Sequence, residues 1–237
     1  MKNILSFTLP QVRAEIKPAA SGIVPDDHQL LLVTGGRAPS PVYLQDLQQR
    51  GFAQIWAADH GIDACLAASL QPDRLIGDND SATPTGWQQA VASGIKVEKY
   101  PRAKDYTDTQ LALQHAADSG ASSIVVTGAL GGRFDHAWSN MQSAAHAPVP
   151  CCLTDEQETV FFLQDDTVCT LELAQPPLAL SLLPLTNRCE GVSLSPARWP
   201  LHDATLLTAA ANAVSNEIGT QATISLRRGT LAVYLCW

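Results

Sequence analysis

Between Gln29 and Ala145, short apolar runs alternate with longer stretches whose apolar residues recur at helical spacing. Leu30-Leu31-Leu32-Val33 is the first such run, and Thr34-Gly35-Gly36 ends it. Ile55–Ala58, Leu75-Ile76, Ile95–Glu98 and Ser123–Thr127 read as four more strands. Helical patterns cover 41–50, 62–69, 84–92, 107–118 and 134–145, between or after them. A strand apolar at every position fits burial on both faces, and strands alternating with helices fit a parallel sheet with covered faces. Thr107 and Gln110 stand at capping-box spacing, with Asp108 in the first turn of the helix they open.

After Ala147-Pro148-Val149-Pro150 the pattern changes. Short apolar runs at 159–163, 168–173, 178–185, 223–226 and 231–235 are separated by turns, and Arg227-Arg228-Gly229 reads as a hairpin turn. This predicts an α/β N-terminal domain with a mostly parallel, Rossmann-like sheet, plus an all-β C-terminal sandwich or barrel. The expected boundaries are 29–147 for the α/β catalytic domain and 151–237 for the β domain. Residues 1–28 carry little pattern and are expected as an extension packed on the first domain or peripheral to it.

Composition narrows the function. The chain has 237 residues, 46% of them hydrophobic, enough for a sizeable core. A net charge of −8 argues against a general nucleic-acid binder, which usually carries a basic footprint. No run approaches the roughly 18 apolar residues of a membrane span, and Met1–Pro10 lacks a signal-peptide pattern. The six cysteines match no zinc spacing and include no Cys-x-x-Cys, so they read as reduced thiols of a cytoplasmic protein.

The candidate chemistry lies where the predicted parallel strands end. Asp59 follows the strand 55–58, and Asp78 and Asp80 lie in Gly77-Asp78-Asn79-Asp80-Ser81 after 75–76. Asp105 and Asp108 lie in Lys104–Asp108, and Asp135 in Gly131-Gly132-Arg133-Phe134-Asp135-His136 after 123–127. In an open α/β sheet the carboxyl ends of the strands line the ligand crevice, so one topology gathers six carboxylates on one edge. Two carboxylates about 4 Å apart repel by roughly 4 kcal/mol at an effective dielectric near 20. A bound Mg²⁺ removes that penalty, and Mg²⁺ takes oxygen donors and substrate phosphates. Lys104 and Arg133 offset phosphate charge, and glycines 128, 131 and 132 allow backbone to approach a phosphate closely.

These motifs in this order resemble the thiamine pyrophosphokinase family. They are Gly35-Gly36, Ala58-Asp59-His60-Gly61, Gly77–Ser81, Lys104–Asp108, and Gly128–His136 with Asn140. The second half adds Ser181–Leu185, Arg198-Trp199-Pro200-Leu201 and Val214-Ser215-Asn216-Glu217. The resemblance covers about residues 30–235. His60 departs from it in place of a glycine, as do Asn79 in place of an apolar residue and Pro196 in place of a glycine.

The resemblance implies pyrophosphate transfer from ATP to thiamine, giving thiamine diphosphate and AMP with Mg²⁺. It implies Asp78, Asp80 and Asp105 as metal and phosphate organisers. Arg133 and Asp135 join them as catalytic residues. Gly36, Asp59, Lys104, Asp108, Gly128, Gly132 and His136 are implied on the ATP side, and Trp199, Ser215 and Asn216 on the thiamine side. It also implies a homodimer with thiamine between the α/β half of one subunit and the β half of its partner. Two rival readings remain at this point. One is a metal-dependent phosphoesterase using the Asp-His pairs at 59–60 and 135–136. The other is a non-catalytic thiamine- or nucleotide-binding sensor.

Overall fold

A computed structural model describes residues 4–18, 28–77, 84–100, 106–210 and 212–237. The chain divides into two compact units. One is 27–156, and the other joins 1–26 to 157–237.

The chain opens with β1 (Leu5–Thr8) and β2 (Val12–Pro18). It then runs β3 (Gln29–Val33), α1 (Pro41–Gln48), β4 (Gln54–Ala58), α2 (Gly61–Ala67), β5 (Arg74–Gly77) and α3 (Pro84–Ala92). Next come β6 (Lys96–Lys99), α4 (Asp108–Asp118), β7 (Ser123–Thr127), α5 (Phe134–Ala145) and β8 (Cys151–Thr154). Unit 27–156 holds β3 to β8 as a parallel sheet in the order β8-β7-β3-β4-β5-β6. All five residues of β7 are buried, and so are Leu30–Val33 of β3. Helices on the sheet exclude water from the central strands, so those strands read as unbroken apolar runs. Thr107 caps α4 by accepting from the Gln110 backbone N–H, as its capping-box spacing predicts.

The β half continues with β9 (Glu158–Leu163), β10 (Thr167–Leu173), β11 (Ala179–Pro184), β12 (Arg188–Ser195), β13 (Leu201–Leu207), β14 (Gln221–Leu226) and β15 (Leu231–Cys236). It is an antiparallel β sandwich. One sheet has the order β1-β2-β10-β14-β12-β13, and β11, β15 and β9 form its counterpart. Alternate residues of β10 and β14 point into the core, and Phe7 meets Phe161 there with ring centroids 5.9 Å apart.

Three expectations are corrected. Within the expected extension 1–28, the described strands β1 and β2 belong to the β half and not to the α/β half, because β2 pairs with β10 along seven residues, from Val12↔Leu173 to Pro18↔Thr167. The expected boundary at 148–150 moves to Glu156, because β8 adds to the parallel sheet beside β7. Arg227-Arg228-Gly229 is not a hairpin turn. β14 pairs with β10 and β12, whereas β15 pairs with β11 and β9, so the chain changes sheets there. The Asp165 carboxylate holds that crossing by accepting from the Gly229 N–H at 2.5 Å.

Candidate functional site

All strands of the α/β unit are parallel, so their carboxyl ends share one edge. The chain walks outward from β3 to β6 and then returns to place β7 on the other side of β3. The segments after β3 and β7 therefore leave in opposite directions, and such a switch point opens a crevice.

Two glycine loops form its floor. Thr34 N–H donates to Thr127 O at 2.8 Å, Gly36 N–H to Gly128 O at 2.5 Å, and Arg37 N–H to Leu130 O at 2.8 Å. This contact leaves no room for side chains. A Cβ on Gly36 would lie 2.5 Å from Gly128 O, and one on Gly128 would lie 2.2 Å from Thr34 O. Gly128 also has φ +72, a conformation glycine adopts without steric cost. Two side chains brace the loops from outside. Arg37 grips the buried Asp155 through Nε at 2.9 Å and Nη2 at 2.6 Å. Asn140 on α5 donates its amide to Ala129 O at 2.9 Å.

Above the loops lies a cleft of about 710 Å³. Of the residues expected on the ATP side, Gly36, Asp59, Asp108, Gly132 and His136 line it, as do Arg133 and Asp135. Gly128 lies in the floor. Asp78, Asp80, Lys104 and Asp105 lie outside the described residues. Their strands nevertheless point to this edge: Gly77 is in register with Lys99, and Tyr100 N–H donates to Gly77 O at 2.9 Å. Asp59 is held at the end of β4 with φ +48, its N–H donating to Ile76 O. A Cβ on Gly77 would lie 2.3 Å from Asp59 Oδ1, so glycine there lets the carboxylate reach across the end of β5.

α4 and α5 both direct their N-termini at the cleft, with Thr107, Asp108 and Arg133 on its wall. The dipoles of the two helices place partial positive charge at these ends, which favours an anion. Arg133 and Asp135 are both exposed and form a two-pronged pair, with Nε–Oδ1 3.1 Å and Nη2–Oδ2 2.6 Å. The Arg133 guanidinium holds the Asp135 carboxyl below its ordinary range, and the His136 N–H also donates to it. Asp135 in return fixes the guanidinium at the mouth. His60 Nδ1 lies 3.2 Å from Asp63 Oδ2, at the start of α2.

The other unit holds a second pocket, about 370 Å³, lined by Trp199, Ser215 and Asn216 with Leu182, Leu194 and Val214 among others. Trp199 is half exposed, whereas Asn216 is buried. The Asn216 amide donates to Trp199 O at 2.6 Å and accepts from Trp199 N–H at 3.1 Å. Asn216 is thus a clamp on the tryptophan backbone. Ser215 N–H donates to Ser181 Oγ at 3.0 Å. The Arg198 guanidinium lies 4.7 Å from the Trp199 ring centroid and pairs with Glu217 at 2.6 Å, so one face of the indole already carries a cation.

Sequence reasoning missed the Arg37–Asp155 brace. The partners are 118 residues apart, and neither stands in a motif that announces the pairing. Among the described residues no group of three or more His, Cys, Asp or Glu is placed to hold a metal ion. None of their helices is long and apolar enough to cross a membrane.

Two family models match. Residues 50–152 match the thiamin pyrophosphokinase catalytic domain, and 169–231 the thiamin pyrophosphokinase vitamin B1 binding domain. The thiamine pyrophosphokinase of Bacillus subtilis (strain 168) is 25% identical over 182 residues, 75% of this chain and 85% of that protein. A crystal structure of the thiamin pyrophosphokinase from Geobacillus thermodenitrificans superposes with a TM-score of 0.72 at 25% identity, over 88% of this chain and 97% of that one. A crystal structure of the Bacillus subtilis thiamine pyrophosphokinase gives 0.75 at 24% identity, over 88% and 98%.

Proposed function

The chain belongs to the thiamin pyrophosphokinase family, and on that premise we propose that it moves the terminal pyrophosphoryl group of ATP to thiamine, releasing AMP. In this reading the hydroxyethyl oxygen of thiamine attacks the β-phosphorus in line. The bond from the β-phosphorus to the α,β-bridging oxygen breaks, AMP leaves with that oxygen, and the hydroxyl proton is lost. The observation that carries the proposal is the cleft itself. Two interlocked glycine loops, two helix N-termini and the Arg133 fork converge where a polyphosphate would lie.

Each described group has a part in it. The N-termini of α4 and α5 and the backbone around Gly36 and Gly132 bind phosphate oxygens. Arg133, oriented by Asp135, offsets the charge that spreads over the transferring group. Asn140 and Arg37 keep the loops from shifting, which matters because about 1 Å of misplacement costs on the order of 100-fold in rate. The indole of Trp199, clamped by Asn216, offers a flat face to the thiamine ring system.

Asp59 and Asp108 bring oxygen donors to a cleft in which no sulfur stands among the described lining residues, a donor chemistry that fits Mg²⁺. Asp78, Asp80 and Asp105 complete the proposed set. The ion, when bound, neutralises charge on the phosphate oxygens. We further propose a cytoplasmic homodimer in which the Trp199 pocket of one subunit serves the cleft of its partner. The six free thiols support the cytoplasmic placement.

AMP release from ATP, measured with and without thiamine and Mg²⁺, tests the reaction. Release that needs both, with thiamine diphosphate formed in equal amount, is the expected result. Release independent of thiamine would identify a phosphoesterase instead. Thiamine binding without turnover would identify a sensor.

A further inference from the structure

The β half holds a cavity of about 630 Å³ that shares no lining residue with the Trp199 pocket. It lies where three chain connections meet, β9 to β10, β11 to β12 and β14 to β15. Those connections are tied to one another. Asp166 N–H donates to Arg227 O at 3.0 Å, Glu190 N–H to Arg228 O at 2.9 Å, and Leu185 N–H to Thr230 O at 2.9 Å. The Thr186 hydroxyl accepts from Thr230 N–H at 3.1 Å. The walls are therefore set before any ligand arrives, and the volume is that of a small-molecule site.

The charges on the walls are unevenly satisfied. Arg188 and Glu190 stand two residues apart on β12 and pair at 2.6 Å, so they cancel locally. Arg228 and Asp165 line the same cavity. Asp165 accepts from Gly229 N–H, yet among the described residues neither Arg228 nor Asp165 forms an ion pair, with the other or with a third group. One cation and one anion thus face a shared space with their attraction unused. A simple anion would meet Asp165 and a simple cation would meet Arg228, each against a like charge. A molecule carrying both signs answers both residues. Among the described residues no aliphatic or aromatic side chain lines the cavity, so the rest of the ligand is polar too.

We propose that this cavity is a binding site for a small polar zwitterion of the α-amino-acid class. Its carboxylate would take two parallel hydrogen bonds from the Arg228 guanidinium, and its ammonium would donate to Asp165. The hydroxyls of Thr186 and Thr230 lie on the wall that a polar side chain would meet. None of these residues has a part in the proposed transfer, so the site adds a ligand to the β half and not a step to the reaction.

Calorimetric titration of the full chain with each polar proteinogenic amino acid tests it. At least one should bind with a dissociation constant of about 1 mM or tighter. The N-acetyl and amide derivatives of that amino acid each lack one charge, and both should bind about tenfold more weakly. Arg228→Gln and Asp165→Asn should each weaken the amino acid by a similar factor. Arg228 is exposed, and Asp165→Asn keeps an oxygen for Gly229 N–H, so both folds should persist, as circular dichroism and thermal melting would show. Trp199→Ala should bind as the parent does. No heat from any amino acid would overturn the proposal, as would derivatives that bind equally well. Affinity unchanged in both variants, or lost in Trp199→Ala, would place the ligand elsewhere and overturn it. Loss in Arg228→Gln alone, with inorganic phosphate bound as tightly as the amino acid, would mark a plain anion site and overturn the zwitterion.

Discussion

Replacing Arg37 with alanine should cost this protein more stability than any surface charge deletion. Asp155 is 1% exposed and receives two of its hydrogen bonds from the Arg37 guanidinium, at 2.9 and 2.6 Å. Truncating one partner of a buried pair leaves the other charge desolvated, at a cost of about 3–5 kcal/mol. The Arg37 side chain is 29% exposed, so water can reach one side of the vacated space, and the lower end of that range applies. At about 3 °C per kcal/mol for a domain of this size, the melting transition of the α/β unit should fall by roughly 9 °C.

The assay is thermal unfolding by calorimetry on Arg37→Ala, and on the cycle of Arg37→Met, Asp155→Leu and the double variant Arg37→Met/Asp155→Leu. The double variant removes both charges and should recover most of the loss, giving a coupling energy above about 1.5 kcal/mol. Arg37 also follows Gly36 and fixes the loop that meets Gly128, so kcat/KM for ATP should fall further in Arg37→Ala than KM for thiamine rises. A melting point within about 2 °C of the parent, or strictly additive effects in the double variant, would show that the pair does not anchor the loop.

Three further outcomes are expected. Trp199→Ala should raise KM for thiamine about tenfold or more and leave KM for ATP unchanged, because the half-exposed indole supplies stacking area and little core; an effect on ATP alone would contradict its placement. Gly128→Ala should cut kcat/KM by about 100-fold in steady-state assays, since its Cβ would meet Thr34 O at 2.2 Å and the interlocked loops must part; near-normal activity would refute the interlock. Burial pushes the thiols of Cys65 and Cys169 up from the ordinary 9.0 to about 12. Above pH 9 the unfolded chain therefore holds fewer protons than the folded one, so stability should decline from pH 9 towards pH 12 in urea titrations. A flat profile over that range would refute it.

The α/β half was legible because its signals are local. Each central strand is buried on both faces and shows as an apolar run. Several of these runs end in glycine or aspartate at the edge where the cleft forms, as at Gly35, Asp59, Gly77 and Gly128. Ser123–Thr127 and the helices at 84–92 and 134–145 stand in the structure at the residues their periodicity marked. The meeting of Asp59, Asp108 and Asp135 in one cleft agrees with a single topological inference, that parallel strands share a carboxyl edge, whereas Gly36, Gly132 and His136 were expected there from the family resemblance.

The β half was legible only in part. β12 is distorted by Gly191, whose φ is +68, and by register shifts against β13. β13 is an edge strand with mostly exposed residues, so neither strand shows a clean alternation. β1 and β2 do alternate, with Leu5, Phe7, Val12, Ala14 and Ile16 buried, but they are short and their partner β10 lies far along the chain. The sequence by itself determined the period of the elements in the α/β half, the cap that opens α4, and which residue types could meet a phosphate. Only the tertiary structure decided that the first strands close the C-terminal sandwich, that β8 extends the parallel sheet, that Arg37 finds Asp155 and that Asn216 grips Trp199. The reason is physical. A buried strand or a helix cap is stabilised by neighbours within a few residues and so leaves a local pattern. A long-range pair is chosen by which burial the whole chain can satisfy at once, and neither partner carries a mark of the other.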